Sequence, residues 1–199
     1  MALVAFDFDG TLSRNDLTQL LGREYAVAGE VRGLAEQGLR NEVDFAETMI
    51  QRASLFEGMP ERRAMAAFRR GKLRTGAAEL VTELRRSDVV VAVITGSFEQ
   101  GVDVVLDDAS VAVDHVVANR LDVKNGALTG EIHGPILNGQ KDGALEQLAA
   151  NEGLSLEQTI AVGNGASDLP MLHVAGTSIG FDPEPVVERH CDEVVTSMR

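Results

Sequence analysis

Three short stretches and one lysine carry side chains whose types and spacing suit chemistry. An apolar run leads directly into two aspartates one residue apart, Asp7 and Asp9, and then into a glycine. Like charges this close repel each other, so the pair costs stability unless a cation or a reaction uses it. Further along, TGS at 95–97 places hydroxyls beside a glycine, GNGASD at 163–168 makes a polar glycine loop, and Lys141 precedes a helical pattern. Where a fold brings them together, these groups predict a site for a divalent cation and an anion.

This combination of side chains suits the hydrolysis of a phosphate monoester. The phosphate dianion repels nucleophiles, and Mg²⁺, which prefers carboxylate and phosphate oxygens, offsets that repulsion. One aspartate of the pair could then attack phosphorus to give an aspartyl-phosphate, while the other protonates the leaving alkoxide and later activates water. Lys141 would supply positive charge to the transferring oxygens. Thr95 and the Gly96 N–H would donate hydrogen bonds to the phosphate.

Strands that alternate with helices must position these groups. We predict strands over LVAFDF (3–8), DVVVAVIT (88–95), VDHVVA (113–118), TIAVGN (159–164) and TSIGF (177–181), with helices between the later ones. Such alternation predicts an α/β fold, a Rossmann-like three-layer core with a mostly parallel sheet. Ligands of such sheets bind beyond the carboxyl ends of the strands, so we expect the four motifs to meet at that edge.

Two features interrupt the alternation. NRLDVKNGALTGEIHG at 119–134 predicts a β-hairpin, with Asn125 and Gly126 at the turn. From about residue 14 to 70 the pattern is helical and contains no predicted strand, in DLTQLLGREYAVAG, EVDFAETMIQRASLF and PERRAMAAFRR. We therefore predict a small helical cap at 14–70, inserted after the first strand, and a catalytic core made of 1–13 and 71–199.

The composition excludes some classes of partner. The 31 acidic and 18 basic residues give a formal net charge of −13, and we find no basic stripe, so nucleic acid is not an expected partner. No segment reaches the roughly 18–20 apolar residues of a membrane span. The N-terminus is too short and too acidic for a signal peptide. Because Cys191 is the single cysteine, no internal disulfide is possible and we expect a cytoplasmic protein.

Lysine is scarce in this sequence. Lys72, Lys124 and Lys141 are the only lysines, and the other basic residues are arginine. An excess of acids with few lysines fits adaptation to high salt, and it fits the compositional bias of a GC-rich genome equally well. The scarcity also favours a functional role for Lys141 over that of an ordinary solvated lysine.

The order of the motifs resembles that of the haloacid dehalogenase superfamily. DFDGTL after the first strand, VITGS at the second, the lone lysine and AVGNGASD match its four motifs in order. DFAETMIQRASLFEGM resembles the cap helix, and ANRLDVKNGALTGEI the core hairpin, of phosphoserine phosphatase-type members. The likeness covers nearly the whole chain. It implies a Mg²⁺-dependent phosphomonoesterase, monomeric or homodimeric, that acts on a small phosphorylated metabolite, with L-phosphoserine as the first candidate.

The resemblance also implies a role for each motif of the core. Asp7 would be the nucleophile and a Mg²⁺ ligand. Asp9 would be the general acid and base and would give its backbone carbonyl to the metal, while Asp168 would anchor the metal through its waters. The phosphate would be held by Thr95, Gly96 and Lys141.

Four positions would set substrate and metal affinity. Arg52 stands where the family places an arginine that binds the substrate carboxylate. Asp16 stands where it has a glutamate for the amine, and is one methylene shorter. Asn164 replaces an aspartate ligand, so an amide oxygen would bind Mg²⁺ with one negative charge fewer. Ser167 replaces an asparagine that helps to bind substrate.

Other interpretations of the same residues stay open. The substrate could be another small phosphometabolite, or the chain could be a phosphomutase, which must exclude water from the aspartyl-phosphate. A non-catalytic phosphometabolite binder would keep the fold, with Asn164 as a lost ligand. On the presumed cap helix, Phe45, Met49 and Phe56 fit a core stripe better than a substrate wall.

Overall fold

A seven-stranded sheet lies at the centre of the computed structural model, which describes residues 1–39 and 44–198. The strands are β1 (Leu3–Phe6), β2 (Val90–Phe98), β3 (His115–Lys124), β4 (Ala127–His133), β5 (Thr159–Gly163), β6 (Thr177–Phe181) and β7 (Glu193–Val195). Their order across the sheet is β4-β3-β2-β1-β5-β6-β7, and every neighbouring pair is parallel except β3 and β4. The predicted α/β fold with a mostly parallel sheet is therefore confirmed.

Helices cover both faces of this sheet. They are α1 (Leu17–Glu24), α2 (Ala28–Leu39), α3 (Phe45–Ser54), α4 (Glu61–Phe68), α5 (Ala77–Arg86), α6 (Glu99–Asp108), α7 (Lys141–Asn151), α8 (Leu169–Val174) and α9 (Pro185–Glu188). Alternate residues of β1 enter different hydrophobic clusters, because side chains along a strand point to opposite faces. Val4 and Phe6 join one cluster, and Leu3 and Ala5 join the other. Two cores, one on each face, produce the three layers.

The first strand is shorter than its sequence pattern predicts. The Asp7 N–H still donates to the Val162 carbonyl at 2.8 Å, but the chain then turns, and the Ser13 N–H donates back to the Phe8 carbonyl at 2.8 Å. Gly10 has a φ of 89°, which a residue with a side chain rarely adopts. Asp7 and Asp9 therefore lie on a tight turn beyond the strand and not on one face of it.

The other predicted strands are present; β6 has the predicted ends, and the others have shifted ends. β2 continues to Phe98, beyond its predicted end at residue 95. The hairpin is confirmed, and φ values of 54° at Asn125 and 75° at Gly126 suit its two-residue turn. The sequence analysis missed α9 and β7, which are only four and three residues long, too short to show a periodicity.

Helices α1 to α4 occupy the segment predicted to be a cap. In the described part of 14–70 no strand is assigned, as expected, and residues 42 and 43 of the predicted EVDFAETMIQRASLF helix lie outside the described residues. α3 packs against the hairpin strand β4, whereas α4 packs against α6 of the sheet layers. The division into a cap at 14–70 and a core stays a prediction. Among the described helices, none is long and apolar enough to cross a membrane.

Candidate active site

A buried lysine bridges two of the predicted carboxylates. Lys141 Nζ lies 2.6 Å from Asp7 Oδ1 and 2.6 Å from Asp168 Oδ1. All three side chains are almost fully buried. A buried charge is costly unless it is paired, and here each partner satisfies the other. These residues are 134 and 27 positions apart in the chain and meet as their positions beside the strand ends predict.

Local backbone geometry brings each member to this point. Asp7 follows the central strand β1, and Lys141 is the first residue of α7 rather than a residue before it. Asp168 ends a short 3₁₀ turn after β5, where its Oδ2 accepts hydrogen bonds from the N–H groups of Asn164 and Gly165, both at 2.9 Å. A Cβ at Gly163 would lie 2.5 Å from the Asp168 Cβ, so this close approach requires glycine. Both oxygens of Asp168 thus have partners, which holds the lysine in place.

Burial moves the pKa values of Asp7 and Lys141 in opposite directions, and the neighbouring charges then act on both. Burial and the neighbouring Asp168 carboxylate raise the pKa of Asp7 to about 6, although Lys141 opposes the change. Burial lowers the pKa of Lys141, but the charges of Asp168 and Asp7 and their hydrogen bonds outweigh burial and raise it overall. Near neutral pH, Lys141 is therefore charged and Asp7 is ionised in most molecules. An ionised carboxylate beside an ammonium group is a suitable nucleophile for an anionic ester.

Asp9 has a different environment two residues away. Its Oδ1 accepts a hydrogen bond from the Leu17 N–H at the start of α1, at 3.2 Å. Burial raises the pKa of Asp9 well above its ordinary value, the charges of Asp16 and Asp7 add to the increase, and the Ser97 hydroxyl and Leu17 N–H counter it. A raised pKa makes a carboxyl hold its proton more readily, which favours a role in general acid catalysis.

The TGS stretch lies within the last residues of β2, where the register with β3 shifts between Ile94 and Phe98, and we call this irregular stretch the TGS loop. Thr95 is buried, and its Oγ1 accepts a hydrogen bond from the Ser97 N–H at 3.1 Å. The Gly96 carbonyl accepts a hydrogen bond from Asn119 Nδ2 at 2.9 Å, and Asn119 Oδ1 accepts one from the Ile136 N–H at 3.1 Å. The sequence analysis missed Asn119, which ties the loop to β3. Its position immediately after the predicted VDHVVA strand was the available signal in the sequence, and the structure shows that it is fully buried.

Phe45 was also missed as a residue of the site. A Cβ at Gly96 would lie 2.9 Å from Phe45 Cζ, and one at Gly139 would lie 3.6 Å from its Cδ1. The ring is partly buried and packs against the main core cluster, in agreement with the core-stripe interpretation. It nevertheless lies over the glycine of the candidate phosphate loop. Any side chain at position 96 would displace the ring.

Asn164 lies against the turn that carries Asp9. Its Oδ1 accepts a hydrogen bond from the Thr11 hydroxyl at 3.0 Å, and a Cβ at Gly10 would lie 2.7 Å from its Nδ2. A carboxamide oxygen has two lone pairs, so one remains for a cation. Ser167, by contrast, is exposed in the turn after β5.

The two predicted cap residues contact each other directly. Arg52 on α3 forms an ion pair with Asp16, with Nη2 3.3 Å from Oδ2. Asp16 is also the N-cap of α1 and accepts a hydrogen bond from the Gln19 N–H at 2.9 Å. The arginine side chain is 12% exposed, and its Nε is buried without a hydrogen-bond partner among the described residues. Asp16 therefore caps α1 with one oxygen while its carboxylate also faces Arg52.

Comparisons with known proteins agree with this arrangement. The family model of the haloacid dehalogenase-like hydrolases matches residues 4–173. The chain belongs to this family. It is 44% identical over 198 residues to the phosphoserine phosphatase of Halobacterium salinarum, covering 100% of this chain and 94% of that protein. The fold is likewise similar to two solved structures of phosphoserine phosphatases.

The first of these structures is a substrate-bound phosphoserine phosphatase complex, with a TM-score of 0.91 and 33% identity over 99% of this chain and 93% of that one. The second is a phospho-aspartyl intermediate analogue, with a TM-score of 0.90 and 34% identity over 98% of this chain and 93% of that one. The chain is thus a hydrolase of the haloacid dehalogenase type and resembles the phosphatases of this family over its full length.

Proposed function

We propose that this hydrolase is a Mg²⁺-dependent phosphoserine phosphatase, which converts L-phosphoserine to L-serine and phosphate through an aspartyl-phosphate. One observation carries the proposal. The site combines a buried lysine between two carboxylates with a separate ion pair, Arg52 and Asp16. The first set suits a phosphoryl group, and the second offers a cation for a carboxylate and an anion for an ammonium group. The full-length similarity to phosphoserine phosphatases supports the same substrate.

The donor set fits a hard divalent cation. The carboxylates of Asp7 and Asp168 share the single ammonium of Lys141, which leaves surplus negative charge. That surplus is one reason why the pKa of Asp7 is raised. Oxygen donors and surplus negative charge are what Mg²⁺ selects. When bound, it supplies positive charge for the phosphate oxygens. Asp7, the Asp9 carbonyl and Asn164 would hold it, with Asp168 acting through water.

The first chemical step is transfer of the phosphoryl group to Asp7. A carboxylate oxygen of Asp7 attacks phosphorus while the bond between phosphorus and the serine oxygen breaks. Asp9, whose pKa burial raises, acts as the general acid and gives its proton to the leaving alkoxide. Lys141 keeps Asp7 oriented and places positive charge beside the transferring oxygens. Thr95 and the Gly96 N–H donate hydrogen bonds to the phosphate.

The second step is hydrolysis of the aspartyl-phosphate. Asp9, now ionised, takes a proton from water as the water oxygen attacks phosphorus. The bond between phosphorus and the Asp7 oxygen breaks, which releases inorganic phosphate and restores the carboxylate. One residue thus acts as acid and then as base, and its proton balance closes over the cycle.

Substrate selection would depend on residues other than those that hold the phosphoryl group. Asp16 holds Arg52 near the site through an ion pair. A bound amino acid would replace this ion pair with two, one to each residue. The α-carboxylate would bind Arg52, and the α-ammonium would bind Asp16. Ser167, in the turn after β5, would be a further contact of the substrate. Phe45 lies over the Gly96 loop and would exclude water from the phosphoryl group.

A phosphate-release screen tests the proposal. The substrates are L-phosphoserine, phosphoethanolamine, which lacks the carboxylate, and glycerol phosphate, which lacks both groups, each with Mg²⁺ at low and high KCl. We expect the largest kcat/KM for L-phosphoserine. Equal values for all three would indicate a phosphatase of another metabolite. Isomerised product without free phosphate would indicate a mutase, and binding without turnover a non-catalytic protein.

Other features of the proposal rest on composition. The net charge of −13 supports a surface adapted to high salt, and higher activity at high KCl in the same screen would support it. The single Cys191 supports a cytoplasmic location. A monomer or a homodimer is expected, and light scattering of the purified chain would distinguish them.

A further inference from the structure

Arg74 donates two hydrogen bonds to the turn that carries the aspartate pair, and the mechanism above gives it no role. Its Nε and Nη2 both donate to the Gly10 carbonyl, at 3.0 Å and 2.7 Å. Gly10 directly follows Asp9, and among the described residues no backbone N–H donates to its carbonyl. A planar guanidinium that meets one oxygen through two N–H groups holds the direction of that carbonyl.

The guanidinium is itself held in place. Its Cζ lies 4.8 Å from the centroid of the Phe181 ring in β6, a distance at which a cation and an aromatic ring attract each other. The ring belongs to the core, since Phe181 is 3% exposed. The Arg74 N–H donates to the Leu12 carbonyl at 2.8 Å, and its Nη1 lies 4.0 Å from Asp182 Oδ2. The side chain therefore joins the turn to the sheet with little freedom of its own.

The turn has its most adaptable residue at the point of this contact. Gly10 has a φ of 89°, and glycine changes its backbone conformation at little steric cost. Rotation of the peptide between Gly10 and Thr11 would break the hydrogen bond of 3.2 Å from the Thr11 N–H to the Phe8 carbonyl. Phe8 lies between the two aspartates. A change at this peptide would therefore displace the proposed nucleophile and the proposed acid relative to each other.

We propose that Arg74 is a positioning residue: by fixing the Gly10 carbonyl, its guanidinium holds the turn in the conformation in which Asp7 faces phosphorus and Asp9 faces the leaving oxygen. The inference rests on the proposed phosphatase function. Because Arg74 acts through the backbone of the turn, its loss should slow the chemistry of every substrate and leave the affinity for each nearly unchanged.

Arg74→Ala tests this separation of rate from affinity. Misplacement of a reacting group is costly, so we expect kcat to fall on the order of 10- to 100-fold with both L-phosphoserine and p-nitrophenyl phosphate. KM should change less than about twofold for either substrate. The rates are measured well below the midpoint of thermal unfolding of each variant, and circular dichroism gives the folded fraction. A loss of stability alone would then leave kcat at the parental value.

Arg74→Lys separates the two-point contact from the charge. Lysine keeps the positive charge but meets the carbonyl through a single ammonium group. We expect its kcat to lie between those of the parent and Arg74→Ala, at least about threefold below the parent. This variant remains informative if the alanine variant does not fold.

Arg85→Ala is the matched control. Arg85, on α5, likewise donates from Nε and Nη2 to a single oxygen, Asp114 Oδ1, at 3.0 Å and 2.8 Å. Its side chain is 38% exposed, against 29% for Arg74. Asp114 immediately precedes β3 and so lies at the opposite ends of the strands from the candidate site. Arg85→Ala should lower thermal stability and keep the parental kcat.

Four results would overturn the proposal. They are a parental kcat in Arg74→Ala, a parental kcat in Arg74→Lys, a loss confined to KM, and an equal loss of kcat in Arg85→Ala. A parental chain that releases no phosphate from any ester would instead remove the phosphatase function itself, and the role of Arg74 with it. The parental measurement therefore distinguishes the two failures.

Discussion

Lys141 and Arg52 are the two cations of the candidate site, and their surroundings differ in kind. Lys141 is 1% exposed and lies 2.6 Å from each of two buried carboxylates. Arg52 lies 3.3 Å from Asp16, whose side chain is 40% exposed. The first cluster lies on the turns that follow the central strands β1 and β5 and on the start of α7, whereas the second joins two helices of the segment between β1 and β2.

The difference suggests how chemistry and selection are divided. Charges in the buried cluster interact strongly, because little water screens them, and any change there alters every partner. The Arg52–Asp16 pair is open to solvent at Asp16, so it can exchange partners at a lower cost. We therefore expect changes in the buried cluster to affect every substrate and changes at Arg52 to affect only substrates that carry a carboxylate.

The largest effect should come from Asp7→Asn, which removes the proposed nucleophile and keeps its volume. We expect kcat to fall by more than about a thousandfold on every phosphomonoester, with an unchanged circular dichroism spectrum. Asp107→Asn, at an exposed carboxylate on α6, is the matched control and should retain parental activity. Turnover of the Asp7 variant within about tenfold of the parent would contradict the assignment.

Lys141→Met should damage both stability and activity. Removing one partner of a buried charge cluster leaves the other charges uncompensated, which costs about 3–5 kcal/mol in the free energy of unfolding. We also expect kcat to fall more than about a hundredfold, since the transferring oxygens lose their nearest cation. Chemical denaturation and steady-state kinetics measure the two effects. Lys124→Met, at an exposed lysine, provides the control, and equal stability of the two variants would refute the buried-charge argument.

Arg52→Ala tests the other side of the comparison. A charge-assisted hydrogen bond contributes roughly 1.5–3 kcal/mol, which predicts a loss in kcat/KM for L-phosphoserine on the order of 10–150-fold. Hydrolysis of p-nitrophenyl phosphate, which has no carboxylate, should barely change. Arg63→Ala is the control, because Arg63 also forms an ion pair between helices of the same segment, with Glu24 at 3.1 Å.

Two kinetic outcomes for Arg52→Ala would contradict its assignment to the substrate carboxylate. Equal losses on both substrates would mean that Arg52 supports the fold or the phosphate. An absence of loss on either would leave a phosphatase without evidence for an amino acid substrate.

The smallest effect is expected at Asn164, next to the buried cluster. Asn164→Asp adds a charged ligand, so the Mg²⁺ concentration for half-maximal activity should fall on the order of threefold to tenfold. Because the new carboxylate also repels the phosphate, a moderate fall in kcat should accompany it. A titration of activity against Mg²⁺ measures the midpoint. An unchanged or higher midpoint would mean that position 164 does not contact the metal.

The sequence by itself determined the fold class and the meeting of the four motifs. Short β-branched runs alternating with amphipathic helices specify a parallel sheet, because the crossover between parallel strands has one strongly preferred hand. Groups placed at the carboxyl ends of such strands, including Asp7, Thr95 and Asp168, must then lie at one edge. The hairpin turn at Asn125 and Gly126 was equally local, since both residues tolerate positive φ.

Only the tertiary structure decided which atoms meet. The pairing of Lys141 with both Asp7 and Asp168, the ring of Phe45 over Gly96 and the Asn119 bridge all join residues distant in sequence. Strand and helix periodicities specify which face a residue occupies, but not the rotamer or neighbour it finds there. The Ser97 hydroxyl, which has no partner among the described residues, is visible only after every surrounding atom has been placed, because burial and hydrogen bonding depend on the whole packed core.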